Sequence, residues 1–339
     1  MLLNLELGWN AWYNIPMRYY GNVVRPPSEA WSYILQITYG CSHNQCTFCS
    51  TYLDKPFQVR PTQEVLEDIE MARSHFPHTR RVFLADGNAL VLSTRRLVPI
   101  LEALDKAFPN LERVSIYANA QDILRKSEEE LATLYRLKLG MIYMGLESGD
   151  EEILRRVKKG ATAAEMIEAV KKAQAVSPST GSGQGPSTAL RPFDRAQDRQ
   201  GSGQGSGRGL KMSVIGILGL GGREFSERHA IATGQAVSAM DPAYFSLLTL
   251  MVVPGTELYR QVKAGQFVLI EPLEMLAEMR VMIQHMEGLT HCVFRTNHAS
   301  NYLPLAGTLP QDKERLLATL DRALAQGESV LRPEYLRAL

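Results

Sequence analysis

Residues 39–51 read YGCSHNQCTFCST and carry three of the chain's four cysteines, Cys41, Cys46 and Cys49, in a C-x4-C-x2-C spacing. Three thiols this close together fit a disulfide staple, a structural zinc site or the seat of an iron–sulfur cluster. An odd clustered set with one distant partner, Cys292, makes a poor disulfide framework. Structural zinc takes four ligands, usually as two pairs, and here the fourth would have to be His43 or Cys292. Three thiolates without an evident fourth suit a four-iron cluster that keeps one iron open to an exogenous ligand. From the residues alone the open iron–sulfur site leads and structural zinc stands second.

The cysteine loop follows directly on SYILQITY (32–39), a strand-like run. Similar runs are RVFLA (81–85), RVSIYA (113–118), MIYMGLE (141–147), KMSVIGIL (211–218) and YFSLLTLMVV (244–253). Several are near-continuously apolar, as parallel strands covered on both faces are. An amphipathic helix pattern follows each one. Thr62 reads as the N-cap of TQEVLEDIEMARSHF and Ser127 with Glu130 as a capping box, with further helices near 94–108, 162–175, 225–239 and 256–264. Six β–α units with right-handed crossovers predict an α/β fold, a partial (β/α)6 TIM-like barrel with the cysteines at its C-terminal mouth. A doubly wound sheet shows the same alternation, and periodicity does not separate the two.

Residues 177–209 break the rhythm, with GSGQG at 181–185 and again at 201–205. Gly, Ser, Pro and Gln supply no core, so the segment reads as a disordered insertion between a helix and a strand. In a barrel such a connection lies on the face opposite the active site. After Gly265 the alternation stops, and helical patterns at 272–287 and 311–325 flank the polar loop HCVFRTNHASNYLPLAGTLP (291–310). The expected organisation is an N-terminal extension (1–29), a core barrel (30–265) and a C-terminal helical cap (266–339). With 37 Lys and Arg against 36 Asp and Glu, the net charge of +1 gives no broad basic surface, so nucleic acid is not the default partner. Residues 1–20 lack a signal-peptide pattern and no apolar run is long enough to span a bilayer, which points to the cytoplasm and away from membranes.

GCSHNQCTFCS after an initial strand resembles the signature loop of the radical S-adenosylmethionine (radical SAM) superfamily, including the aromatic Phe48 before the last cysteine. The usual spacing there is C-x3-C-x2-C, and this chain has one residue more in the first gap. The resemblance runs through about residues 30–260. LADGNAL (84–90) stands where that superfamily has a Gly-Gly-Glu turn, with Asn88 in place of the acid. GLESGDEEILRRVKKG (145–160) is similar to the methylthiotransferase and oxygen-independent coproporphyrinogen oxidase branches. VIGILGLGG (214–222) resembles an adenine-binding strand, and MVVPGTELY (251–259) resembles the end of the sixth strand.

The resemblance implies that Cys41, Cys46 and Cys49 hold three irons of a 4Fe-4S cluster while the fourth iron binds S-adenosyl-L-methionine. Reductive cleavage would then yield a 5'-deoxyadenosyl radical that abstracts hydrogen from a substrate. It further implies that Asp86, Gly87 and Asn88 meet the methionine ammonium, and that Glu147 takes the ribose hydroxyls or the ammonium, with a salt bridge to Arg155 or Arg156 as the plain alternative. Asn119 is a weaker candidate, and Phe48, Gly216, Ile217 and Val253 would flank the adenine. The resemblance also implies an electron donor such as flavodoxin or ferredoxin. His43 reads as a surface or supporting residue, and Cys292 as a buried small hydrophobe. The chain shows no second three-cysteine set and no further cysteine-rich region, so the reading is of a single-cluster enzyme acting on a small molecule. The alternatives are a tRNA- or peptide-modifying member, or a non-enzymatic zinc or iron–sulfur regulatory module. The 291–310 loop is expected to cover the mouth, with His298, Asn301 or Tyr302 facing the substrate and Arg295 pairing with an anionic group.

Overall fold

The computed structural model describes residues 18–176 and 209–338. Its main sheet has eight strands in the order β1 (Tyr33–Gln36), β4 (Arg81–Ala85), β5 (Arg113–Tyr117), β6 (Leu139–Glu147), β7 (Lys211–Leu218), β8 (Tyr244–Thr249), β9 (Cys292–Arg295) and β10 (Ala306–Leu309). Spatial order follows chain order without reversal. That separates the fold from a doubly wound sheet, whose order reverses at a switch point. All neighbours are parallel except β9 and β10. β1 and β10 are the two edges, so the curled sheet is a partial barrel.

Six parallel strands stand where the apolar runs predicted them. The region after Gly265 differs from a purely helical cap. CVFR at 292–295 pairs parallel with β8 as a seventh strand and β10 folds back on it. These strands therefore extend the barrel wall instead of lying over its mouth, and the extension is continuous with the core sheet. The first run also divides. After β1 the chain leaves the main sheet, and β2 (Thr38–Tyr39) pairs antiparallel with β3 (Gln58–Val59). This short ladder closes the base of the cysteine loop.

The helices follow the expected pattern: α1 (Thr62–His75), α2 (Thr94–Ala107), α3 (Ala120–Leu124), α4 (Glu128–Arg136), α5 (Glu151–Arg156), α6 (Ala163–Ala175), α7 (Gly222–Met240), α8 (Glu257–Lys263), α9 (Pro272–Gln284) and α10 (Lys313–Gln326). The Ser127 hydroxyl accepts from the Glu130 amide (3.1 Å) while the Glu130 carboxylate accepts from the Ser127 amide (2.8 Å), the capping box read from sequence. One continuous apolar cluster fills the space between strands and helices. Inside the barrel a smaller one packs Phe83, Tyr117 and Tyr143 edge to face, with ring centroids 5.0–5.9 Å apart. No described helix is long and apolar enough to cross a membrane.

The expected insertion lies outside the described residues except for Gly209, but its anchors lie together. A Cβ on Gly209 would press on the Gln174 carbonyl and sit 3.0 Å from that of Val176. Excising 177–208 and joining the ends with a few glycines is therefore expected to preserve the fold. Loop closure changes by only about 0.6 kcal/mol per halving of length. Urea unfolding checks this, and a loss above about 2 kcal/mol would show that the segment contributes core.

Candidate functional site

The cysteine loop sits at the C-terminal ends of the strands and is clamped by two turns. On one side, the Asn88 amide accepts from Ser42 N (2.9 Å), donates to Ser42 Oγ (2.8 Å) and donates to Asp122 Oδ2 (2.9 Å). Gly87 has no room for a side chain, because a Cβ there would overlap the Gly40 carbonyl and Cys41. On the other side, His43 Nε2 donates to the Lys158 carbonyl (2.7 Å) and Thr47 N donates to that of Val157 (3.0 Å). His43 packs so closely on Gly160, at φ +73°, that a Cβ there would overlap its ring. The histidine is thus a brace between the loop and the VKKG turn.

Two buried ion pairs flank the thiols. Asp86 Oδ2 accepts from Lys55 Nζ (2.5 Å), Gln36 Nε2 (3.0 Å) and Gly40 N (3.2 Å), whereas its Oδ1 is buried without a partner. An unmet buried carboxylate oxygen is costly and calls for a cationic or N–H ligand. Glu147 adopts φ +63° at a bulge in β6 and folds its carboxylate back over Gly145, where a Cβ would collide with it. Its partner is Lys159 Nζ at 3.0 Å. Arg155 and Arg156, the alternative partners read from sequence, both bind Glu152 instead. Burial works against the Lys159 charge, but Glu147 and then Cys46 outweigh it and raise the ammonium's pKa.

The thiols suit a polycationic cluster. Burial pushes the Cys46 thiol up to about 12; Lys159 opposes this, while Glu147 and the other two thiols add to it. Burial also raises Cys41, against the pull of the Asn44 and His43 amides. Buried thiols become thiolates where a metal centre supplies the compensating charge. Among the described residues no three His, Cys, Asp or Glu side chains, the loop cysteines included, are already drawn together as a metal ion needs. Cys292 is buried at the start of β9, at the opposite end of the barrel from the cysteine loop.

The remaining candidates divide. Phe48 and Ile217 pack in one apolar cluster at the mouth with Leu250 and Val252, a cluster that does not include Val253. Gly216 faces the helix side of β7, since a Cβ there would lie 3.0 Å from Leu247 Cδ2 and 3.2 Å from Phe245 Cζ. Asn119 starts α3 at the end of β5, its backbone N–H donating to Asp122 Oδ2 (2.9 Å). The Asn88 side chain spends both donors and its acceptor on Ser42 and Asp122, which makes it a support for the loop. Lys55, Lys159 and Tyr52, whose hydroxyl accepts from Gly87 N (2.9 Å), are site residues that the sequence did not reveal.

The 291–310 loop overturns part of the expectation. Asn301 is buried and latches strand ends together, donating to the carbonyls of Leu247 (2.7 Å) and Thr296 (3.0 Å) and accepting from Thr249 Oγ1 (2.9 Å). Tyr302 points to the C-terminal segment, donating to Glu334 (2.8 Å) under the Arg337 guanidinium. Only His298 of the three lines the barrel cavity. Asn301→Ala should therefore cost about 2–3 kcal/mol of folding free energy, because it orphans buried groups. Chemical denaturation checks this, and a stable variant impaired only in turnover would restore the substrate-facing reading.

A three-thiol loop at the mouth of a partial α/β barrel, beside a buried acid with an open oxygen, has the make-up of an open iron–sulfur site. Residues 35–183 match the sequence model of the radical SAM superfamily. Its members are enzymes, and their cofactors are a 4Fe-4S cluster and S-adenosylmethionine. The 4'-phospho-dehydrooxetanocin synthase of Priestia megaterium is 26% identical over 155 residues, covering 40% of this chain and 21% of that protein. A methylthiotransferase-like protein of Methanocaldococcus jannaschii is 26% identical over 144 residues, covering 40% of this chain and 30% of its own length. This chain thus spans less than a third of either relative. Among solved structures, coproporphyrinogen III oxidase of Escherichia coli aligns with a TM-score of 0.48 at 13% identity, covering 88% of this chain and 70% of that one.

Proposed function

We propose that the chain binds one 4Fe-4S cluster through Cys41, Cys46 and Cys49 and reductively cleaves S-adenosylmethionine. The observation that carries this is the braced three-cysteine loop set against Asp86, whose buried Oδ1 lacks a partner. Held by the three cysteines, the cluster together with S-adenosylmethionine would supply one-electron radical chemistry for abstracting hydrogen from a small-molecule substrate. The protein's own part is to bind, orient and exclude water. Asp86 Oδ1 accepts a hydrogen bond from the cofactor's ammonium. Glu147, held by Lys159 above the interior, orients the ribose, with Asn119 on the neighbouring strand. Phe48, Ile217 and Val252 give the adenine an apolar floor. A low-potential electron carrier such as flavodoxin or ferredoxin supplies the electron, and the barrel of residues 30–265 is completed by the strands of 266–339. Anaerobic reconstitution, followed by iron and sulfide quantification and assay of 5'-deoxyadenosine, tests the reading. Stoichiometric zinc with no iron–sulfur absorbance would end it.

A further inference from the structure

The turn that follows Glu147 and the end of β7 are joined through one histidine. His229 lies on α7 and is fully buried. Its Nε2 donates to the Ile217 carbonyl (3.0 Å), since a carbonyl only accepts. That leaves Nδ1 as the acceptor for the Ser148 hydroxyl (2.8 Å). The hydroxyl in turn accepts from the Asp150 backbone N–H (3.0 Å) and keeps its proton for the ring. Asp150, Ser148, His229 and Ile217 form one directional chain of hydrogen bonds, in which each bond polarises the next. The seat is tight on both sides. Gly149 N donates to Thr233 Oγ1 (2.9 Å), one turn beyond His229, and a Cβ on Gly149 would overlap the Ala232 carbonyl. The Asp150 carboxylate accepts from Arg228 (2.6 and 2.8 Å). Glu278 of α9 accepts from Gly219 N (2.6 Å) and Ser226 Oγ (2.5 Å), with its Oε1 3.7 Å from His229 Nε2.

An apolar side chain would fill this place in the core at less cost, because a buried imidazole needs its polar atoms met. What the histidine adds is a fixed relation between two strand ends. Glu147 immediately precedes Ser148 and stands opposite Gly216 in the β6–β7 register, across the bulge. Ile217 immediately follows Gly216 and packs with Phe48 at the mouth. The residue proposed to orient the ribose is therefore next in the chain to one that His229 holds. The residue proposed beneath the adenine is held by His229 directly.

We infer that His229 is a positioning residue for the adenosine half of S-adenosylmethionine, setting the ribose contact against the adenine floor without itself touching the cofactor. The inference rests on the proposed function for its ligand. His229→Phe, His229→Gln and Ser148→Ala, each anaerobically reconstituted, should be compared with the unaltered chain. The readouts are iron content, urea midpoint, 5'-deoxyadenosine affinity by equilibrium dialysis, and the KM for S-adenosylmethionine cleavage under dithionite. His229→Phe breaks both bonds and should weaken 5'-deoxyadenosine binding, and raise the KM, at least about tenfold, the worth of one hydrogen bond. Its iron content should match that of the unaltered chain. His229→Gln keeps an N–H near the place of Nε2, still able to donate to the Ile217 carbonyl, and should recover most of the lost affinity. Should His229→Phe fail to fold or to load iron, Ser148→Ala carries the test. It cuts only the tie to the turn and should weaken 5'-deoxyadenosine roughly threefold, the lower end for a hydrogen bond. Undiminished affinity in folded, iron-loaded His229→Phe or Ser148→Ala, or a loss that His229→Gln does not recover, would overturn the inference. Cleavage by the unaltered chain separates the two ideas. Cleavage with an undiminished His229→Phe sinks this proposal alone. Binding of 5'-deoxyadenosine that depends on His229, without cleavage, sinks the catalytic reading and leaves the positioning role standing. An unaltered chain that neither binds nor cleaves ends both.

Discussion

Cys46→Ala is expected to lose its cluster and with it reductive cleavage of S-adenosylmethionine, leaving 5'-deoxyadenosine at the background of the unreconstituted protein. Loss of a hydrogen-bonded supporting partner at a metal site costs roughly ten- to a hundredfold, and loss of a ligand should exceed that. Cys41→Ala and Cys49→Ala should behave alike, because two thiolates cannot hold a cubane. Cys292→Ala is the control. Its thiol is buried in the core at the start of β9, and burial pushes its pKa far up. It should bind iron as the unaltered chain does and lose only about 1 kcal/mol of stability to a small cavity. If Cys292→Ala lost iron as severely as Cys46→Ala, a closed four-cysteine site would be the better description.

What the sequence could show followed from local chemistry. The spacing of the three cysteines and the carboxylate ending an apolar strand, Glu147, are visible without a fold. So are the six apolar runs, since strands buried on both faces need apolar residues throughout. That same property hid which face Gly216 occupies. In KMSVIGIL the residues around it are apolar at both parities, so alternation could not separate the helix side from the interior. The partners of Glu147 and Asp86 were hidden for another reason. Lys159 and Lys55 are ordinary charged residues in polar stretches, and only the fold brings them to the acids. β9 was lost because CVFR is four residues long and lies among polar neighbours. The polar crowd after it suggested substrate contacts, but Asn301 bonds to strand-end carbonyls and Tyr302 to Glu334. Side-chain polarity alone does not separate a latch from a binding residue.

Asp86→Ala should be the most damaging change outside the cysteines. Lys55 is 4% exposed and Asp86 fully buried, so removing the acid strands an ammonium where water cannot reach it. Breaking a buried pair from one side costs about 3–5 kcal/mol, a large part of the 5–15 kcal/mol that typically holds a domain together. The Gly40 amide, which begins the cysteine loop, loses its acceptor in the same step. Urea unfolding should therefore show a much lower midpoint. The informative variant is Asp86→Ala combined with Lys55→Met. Replacing both charges by apolar groups is often neutral for stability, so the double change should recover most of the lost folding free energy. It should not recover S-adenosylmethionine binding, because the acceptor proposed for the cofactor's ammonium, Oδ1, is still missing. Equilibrium dialysis of the reconstituted double variant decides the matter. If cofactor affinity returned together with stability, Asp86 would serve only to neutralise Lys55, and the cofactor's ammonium would have to be held by other groups at the mouth.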